Sequence, residues 1–185
     1  MSTVTVVTAT RAEYGLLRPV VQKLASCRDL SLSLVVTGAH LCARLGATVA
    51  EIEADGLPIA ARLPIFAEEP GEPVARAIAR TMEVFDGYFA AHPPDLLLLL
   101  GDRFEIFAVA AAAAARHIPI AHISGGDVTR GAADEYYRHC ITQMAALHFP
   151  PAPTAPPGWC AWGRSPAGSS AWAGWGMKTS APCRK

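Results

Sequence analysis

Ten charged side chains lie in or next to three short polar segments, each of which follows an apolar run. The segments are residues 8–13, 101–105 and 122–134. Arginine can pair with phosphate through two parallel hydrogen bonds. Closely set carboxylates have pKa values that differ, so that one can act as an acid and another as a base. This mixture of cations and carboxylates favours an anionic substrate that undergoes acid–base chemistry. The ten charged residues are Arg11, Glu13, Asp102, Arg103, Glu105, Asp127, Arg130, Asp134, Glu135 and Arg138.

Apolar runs alternate with helical patterns along the first 150 residues, and this alternation predicts the fold. The runs typical of strands are Thr3–Thr8, Ser31–Thr37, Ile59–Ile65, Asp95–Leu100, Pro119–His122 and a sixth from Leu147. Helical patterns lie between them, over about residues 14–26, 41–54, 73–91, 106–116 and 133–146. Five such alternations are typical of an α/β fold, a Rossmann-like doubly wound parallel sheet.

The position of the polar segments follows from that fold. In the strand order 3-2-1-4-5-6, the first and fourth strands are neighbours, and ligands bind in the crevice at their carboxyl ends. The run Asp95–Leu100 is continuously apolar, which suits a central strand covered on both faces. All three polar segments then lie along one edge of the sheet.

Structural roles would explain several of the same residues. Asp102 and Asp134 could be helix N-caps, and Arg138 could pair with Asp134 one helical turn away. Glu105 suits a first helical turn because of the helix dipole. Gly125 and the glycine after it could serve only a turn.

No pattern in the sequence indicates a metal or a redox cofactor. The six histidines include no pair with HExxH spacing. Neither GxGxxG nor GxxxxGK[ST] occurs, which disfavours NAD and P-loop nucleotide sites. The five cysteines are widely spaced, without a CxxC pair, and the first ten residues do not resemble a signal peptide. Reduced thiols and a cytoplasmic location are therefore expected.

The charge is balanced only over the whole chain of 185 residues, which has 16 basic and 16 acidic side chains. This balance argues against nucleic-acid binding, and no apolar run reaches the roughly 18 residues of a membrane span. Residues 1–150 have a net charge of −4. Residues 151–185 have a net charge of +4 and all four tryptophans, but no Leu, Ile, Val, Phe or Tyr. We expect a Rossmann-like domain over 1–150 and a low-complexity tail over 151–185, disordered or translated out of frame.

Four segments of the first 150 residues resemble one enzyme family. They are TATRAEYGLLRPV (8–20), VTGAHL (36–41), LLLGDRFEIFAVAAAAA (98–114) and PIAHISGGDVTRGAADEYYRHCITQMAALHF (119–149). Together they resemble the N-terminal domain of the UDP-N-acetylglucosamine 2-epimerase family, and most of all its hydrolysing branch in sialic and legionaminic acid biosynthesis. The resemblance implies one half of a GT-B architecture, in which a nucleotide sugar lies in the cleft between two Rossmann-like domains.

The resemblance also implies roles for individual residues. Arg11 matches an arginine near the diphosphate, and Asp102 matches a candidate general acid or base. Asp127 stands where the family usually has glutamate, which is one methylene longer, and Asp134 matches a further acid–base carboxylate. Arg138 matches an arginine that holds the carboxylates in register. The implied catalytic residues are thus Asp102, Asp127 and Asp134, and the implied substrate-binding residues are Arg11, Arg103, His122, Glu135 and Arg138.

The implied reaction has two steps and needs no cofactor. A base removes a proton and UDP leaves from C1, which gives a 2-acetamidoglucal-like intermediate. Water then adds and releases an N-acetylmannosamine-type sugar with inverted C2. UDP-N-acetylglucosamine and UDP-N,N'-diacetylbacillosamine both stay open as substrates, and the family often forms homodimers.

The resemblance ends near residue 150, where a family member would continue into a second domain. We therefore expect a truncated enzyme, and its activity without a second domain is in question. The alternative is a non-catalytic half-domain that binds nucleotide sugar. A glycosyltransferase fragment with a GT-B fold is a third reading, against which the GGD and DE..R motifs speak.

Overall fold

Six parallel strands form one sheet in the predicted order. The computed structural model describes residues 1–67, 70–125 and 133–149. Its strands are β1 (Ser2–Thr8), β2 (Leu30–Thr37), β3 (Ile59–Leu63), β4 (Leu96–Leu100), β5 (Ile120–Ile123) and β6 (Leu147–Phe149). They follow one another across the sheet as β3-β2-β1-β4-β5-β6, and each neighbouring pair is parallel. The prediction of a doubly wound α/β fold is confirmed, with the crevice at the carboxyl ends of β1 and β4.

Helices cover both faces of this sheet. They are α1 (Arg11–Ala25), α2 (Val49–Ala54), α3 (Val74–Ala91), α4 (Phe104–Ala115) and α5 (Asp134–Met144). The leucines of β4 alternate between the two sides. Leu97 and Leu99 are buried in the core that includes α3 and α4, whereas Leu98 and Leu100 belong to the core that includes α1. The continuous apolar run therefore does form a central strand covered on both faces.

Helix α1 begins three residues earlier than its hydrophobic pattern predicts. Thr10 is its N-cap, and the Thr10 hydroxyl accepts a hydrogen bond from the backbone N–H of Glu13. The Glu13 carboxylate in turn accepts from the N–H of Thr10, which completes a capping box. Arg11 and Glu13 therefore lie in a helical turn rather than in a loop.

The helix predicted over residues 41–54 is wrong in its first half. Two short 3₁₀ turns, Gly38–Leu41 and Ala43–Leu45, occupy that stretch, and α2 is only six residues long. Gly46 and Ala47 have φ angles of 98° and 42°. Consecutive left-handed residues cannot continue a right-handed helix, so the chain turns there before α2 begins.

Three of the described strands are followed directly by a residue with positive φ. These residues are Gly38 after β2, Gly101 after β4 and Ser124 after β5, with φ of 59°, 92° and 63°. At Gly38 the close approach of the chain adds to the need for glycine, because a Cβ atom there would lie 2.8 Å from the carbonyl oxygen of Ala9. The turns after β1 and β2 are therefore packed directly against each other.

Among the described residues, no helix has the length and apolar character needed to cross a bilayer. The predictions for the Gly-rich loop at 126–132 and for the tail from residue 150 onward lie outside the described residues.

Candidate functional site

Most of the predicted site residues lie at the carboxyl edge of the sheet. The turn between β4 and α4 contains two of them, the first turn of α1 contains one, and α5 contains three. Asp127 lies outside the described residues. The remaining predicted residues are all described, and they are Arg11, Asp102, Arg103, His122, Asp134, Glu135 and Arg138.

An ion pair between Asp102 and Arg138 joins α5 to the turn that follows β4. The Arg138 Nε–H donates to Asp102 Oδ2 at 2.8 Å, and its Nη2 group donates to the same oxygen. The Arg138 side chain is only 9% exposed, whereas that of Asp102 is 27% exposed. The guanidinium thus holds the carboxylate from the protein side and leaves part of it facing the crevice.

The alternative that the two aspartates cap helices is wrong. Arg103, not Asp102, is the N-cap of α4, and it makes no side-chain capping hydrogen bond. Ala133 is the N-cap of α5, so that Asp134 is the first residue of that helix. Asp102 is therefore free of a capping role and engaged by Arg138 instead.

A second ion pair lies on the other side of the β4–α4 turn. Arg103 Nη2 donates to Glu105 Oε1 at 3.0 Å, and the Glu105 side chain is fully buried while that of Arg103 is half-exposed. Glu105 lies in the first turn of α4, as its structural explanation predicts. Arg103 therefore keeps one face toward solvent while it neutralises a buried carboxylate.

Glu13 is a buried carboxyl group that the sequence placed in the crevice without a role. Its Oε2 accepts hydrogen bonds from the N–H groups of Ala9 and Thr10 at 2.9 and 3.2 Å. Its Oε1 is buried and has no hydrogen-bond partner among the described residues. Burial, with a smaller contribution from the nearby Glu105, raises the pKa of Glu13 to about 7 against the lowering effect of the Ala9 N–H. The signal in the sequence is the T-x-x-E spacing of Thr10 and Glu13.

His122 lies beneath the crevice with no exposed surface. Its Nε2 lies 2.8 Å from the carbonyl oxygen of Gly101, which can only accept, so Nε2 carries the hydrogen. Its Nδ1 therefore carries no hydrogen, and the Thr142 hydroxyl 3.3 Å away donates its own hydrogen to the carbonyl oxygen of Arg138 at 2.8 Å. Burial lowers the pKa of His122 to about 4, so the ring is neutral near pH 7. A Cβ atom on Gly125 would lie 2.6 Å from Nδ1, so glycine closes this packing.

The predicted part of His122 in substrate binding stays a prediction. The imidazole has no accessible surface, and its hydrogen bond to Gly101 fixes the residue before Asp102. The histidine therefore positions the β4–α4 turn.

The predicted site residues nearer the surface are exposed to different degrees. The Arg11 side chain is 73% exposed, and its Nε lies 2.9 Å from a carboxylate oxygen of Glu51. Asp134 is exposed. Glu135 is partly exposed and lies 3.3 Å from Nε2 of His139, one helical turn away. Arg11 and Asp134 are thus accessible to a ligand in the crevice.

The arrangement offers acid–base groups and cations at one edge. A partly exposed carboxylate is fixed by a buried arginine at the end of a central strand. Exposed guanidinium groups lie at the starts of α1 and α4. These groups can hold an anion and move a proton beside it.

Comparison with known proteins gives the family. The model of the UDP-N-acetylglucosamine 2-epimerase family matches residues 22–158, which is well over half of the chain. The chain belongs to this family. The resemblance in the GDRFE and SGGD segments is thereby confirmed.

Two bacterial relatives of this epimerase-family chain are named as hydrolysing enzymes. The UDP-N,N'-diacetylbacillosamine 2-epimerase (hydrolyzing) of Legionella pneumophila is 42% identical over 144 residues, which cover 77% of this chain and 38% of the relative. The GDP/UDP-N,N'-diacetylbacillosamine 2-epimerase (hydrolyzing) of Campylobacter jejuni is 38% identical over 145 residues, covering 78% and 38%. The epimerase-family chain therefore spans about two fifths of the length of these relatives.

The fold matches the family as well. A crystal structure of a UDP-N-acetylglucosamine 2-epimerase superposes with a TM-score of 0.71 at 25% identity, covering 83% of this chain and 42% of the other. The predicted Rossmann-like half of a GT-B architecture is confirmed.

Proposed function

We propose that this chain supplies acid–base groups for a hydrolysing 2-epimerase that acts on a UDP-linked 2-acetamido sugar. The observation that carries the proposal is the Asp102–Arg138 pair, in which a buried guanidinium fixes a partly exposed carboxylate at the crevice. The two hydrolysing relatives support the reaction class.

The first step would be an elimination. A carboxylate removes the proton from C2, the electron pair of that C–H bond forms a C1–C2 double bond, and UDP leaves from C1 with the bonding electrons. Asp102, Asp127 and Asp134 are the proposed acid–base residues. Arg11, which is exposed beside the end of β1, would stabilise the leaving diphosphate.

The second step would add water to the same double bond. The oxygen of one water molecule bonds to C1 while that water loses a proton to a carboxylate, and a carboxyl group delivers one proton to C2 from the face opposite to that of the first removal. The product is the free 2-acetamido sugar with inverted C2, together with UDP. Arg103, Glu135 and Arg138 would hold the substrate or the carboxylates during both steps, and neutral His122 would hold the Gly101 carbonyl and thereby the turn.

Pathway, location and assembly are finer parts of the proposal. A third relative, the polysialic acid biosynthesis protein P7 of Escherichia coli, is 36% identical over 150 residues, and its name supports a role in the biosynthesis of sialic or legionaminic acid-type sugars. The described cysteines are free thiols, which supports a cytoplasmic location. A homodimer is proposed from the resemblance to the family. The division of the chain at residue 150 stays a prediction, which the reading frame of the coding DNA tests.

The alternative function is that of a half-domain that binds nucleotide sugar without turnover. The chain spans about two fifths of the length of its relatives.

Solvent deuterium distinguishes the two functions. The purified chain is incubated in D₂O with UDP-N-acetylglucosamine or UDP-N,N'-diacetylbacillosamine, and UDP and sugar are followed by NMR. The epimerase is expected to release UDP together with a sugar that carries deuterium at C2. Saturable binding without UDP release, by a chain with a folded circular-dichroism spectrum, would favour the binding half-domain.

A further inference from the structure

A cavity of about 320 Å³ lies at the carboxyl edge of the sheet, next to the crevice but outside the residues assigned so far. One wall is the pair of 3₁₀ turns after β2, and the other is residues 64–67 after β3. The lining is largely apolar and includes Leu41, Ile65, Phe66 and Ala67, with the Cys42 thiol and the Arg44 guanidinium as its polar side chains. It therefore suits a group that is mostly apolar and carries a hydrogen-bond acceptor for Arg44.

Both walls of the cavity are fixed in place. The Gly38 turn packs against Ala9 with no room for a Cβ atom. Arg44 donates a long hydrogen bond of 3.4 Å from Nη2 to the carbonyl oxygen of Ala67, which ties the two walls together. Ile65 is buried in the core. The cavity is thus built by the fold.

The cavity reaches toward the proposed acid–base residues. A smaller cavity of about 190 Å³ shares Arg44, Phe66 and Ala67 with it and extends to Phe104. The rings of Phe66 and Phe104 are 6.3 Å apart, and Phe104 is two residues after Asp102. The strands β2 and β4 both neighbour β1, so their ends are about 10 Å apart. One sugar ring with an acyl substituent can bridge that span.

We propose that this cavity receives the C4 acetamido and C6 methyl groups of the sugar, and that Phe66 determines the preference for such a sugar over one with hydroxyl groups at both positions. This inference rests on the proposed function. Methyl groups gain from contact with the apolar lining, whereas hydroxyl groups placed there would lose hydrogen bonds to water. The Arg44 guanidinium at the rim is a donor for the acyl oxygen.

Protection of Cys42 from alkylation tests, on the unaltered chain, whether the sugar occupies this cavity. The full chain is alkylated with N-ethylmaleimide in the presence of UDP, UDP-N-acetylglucosamine or UDP-N,N'-diacetylbacillosamine, and the modification of each cysteine is followed by peptide mass spectrometry. The diacetyl sugar is expected to slow alkylation of Cys42 at least about tenfold more than UDP-N-acetylglucosamine does. Cys27, just after α1, is the internal control and should react at the same rate throughout.

Variants at Phe66 test the preference. Phe66→Asn should reduce the ratio of the two dissociation constants at least about tenfold, while Phe66→Leu should largely keep it. Binding of both sugars with equal affinity, or binding of the diacetyl sugar without protection of Cys42, would overturn the assignment of the cavity. If neither sugar binds, the proposed function itself fails, and the cavity assignment fails with it.

Discussion

Two buried titratable side chains lie beneath the crevice, and their pKa values move in opposite directions. Burial raises the pKa of Glu13 to about 7 and lowers that of His122 to about 4. In both cases burial penalises the charged form and shifts the side chain toward its neutral form in the folded protein. The consequence is a pair of opposing contributions to the pH dependence of stability.

For Glu13, the folded protein binds its proton more tightly than the unfolded chain, whose carboxyl has a pKa of 4.5. The stabilisation is fully present below about pH 4.5 and is lost as the pH rises to about 7. Glu13→Gln should remove this loss and raise the free energy of unfolding at about pH 8 by up to about 3 kcal/mol. Urea unfolding at about pH 4.5 and 8 measures the difference in the free energy of unfolding between the variant and the unaltered chain. An equal effect of the substitution at both pH values would contradict the assignment.

For His122, the unfolded chain binds the proton more tightly, with a pKa of 6.5. Stability is fully present above about pH 6.5 and is lost as the pH falls toward about 4. His122→Gln should reduce this loss of stability at acid pH. In the Glu13→Gln variant, stability should fall more steeply with decreasing pH than it does in the unaltered chain. Thermal unfolding between about pH 4.5 and 6.5 checks both, because the two contributions largely cancel in the unaltered protein over that range.

Asp102 and Arg138 are 36 residues apart, and no local pattern could predict that they pair. Residue types and the family resemblance identified both as candidates, but the local i, i+4 reading gave Asp134 as the partner of Arg138. Only the order of β4, β5 and α5 around the sheet brings the Asp102 and Arg138 side chains together. The placement of these residues at one edge of the sheet was predictable, and the contacts between them were not.

Arg138→Ala should leave the Asp102 carboxylate without its buried partner. We expect kcat for UDP release to fall at least about tenfold with a smaller change in KM, because the arginine acts through the carboxylate. Arg138→Lys should recover only part of the loss, since one ammonium group cannot reproduce the guanidinium geometry. A loss confined to KM in steady-state kinetics would instead assign Arg138 to substrate binding.

At the scale of elements, the sheet was predictable and several turns were not. The apolar runs gave all six strands to within two residues at each end, since buried parallel strands need such runs. The pattern over 41–54 suggested one helix because its apolar spacing is helical, yet the left-handed Gly46 and Ala47 interrupt it. The start of α1 could have been read from Thr10 and Glu13, whose capping box precedes the apolar stripe.

Gly38 should be the least replaceable of the crevice turns. Gly38→Ala combines a positive φ with a Cβ atom 2.8 Å from the Ala9 carbonyl oxygen. We expect this substitution to lower the free energy of unfolding by about 1–3 kcal/mol. Gly87→Ala is the matched control, because Gly87 lies inside α3 with open space around its Cα. That substitution should stabilise by about 0.5–1 kcal/mol. Similar effects of the two substitutions on chemical denaturation would refute the packing of the Gly38 turn against Ala9.

At the scale of the whole molecule, the chain is a family member that spans part of its relatives' length. The family model matches residues 22–158, a range that includes five of the six strands, the Asp102–Arg138 pair and the residues that line the cavity. The charge balance of the 185 residues joins an acidic stretch of 150 residues to a basic one. Overall composition therefore says little about function, which depends on the residues of the crevice.

The most direct test of the central claim is the rate of UDP release by three forms of the full chain with UDP-N,N'-diacetylbacillosamine as substrate. Asp102→Asn keeps the shape of the side chain but removes its basicity, and release should fall at least about 100-fold. Asp86→Asn is the control, since Asp86 pairs with Arg116 on the surface, and its rate should equal that of the unaltered chain. Equal rates for Asp102→Asn and the unaltered chain would contradict the account.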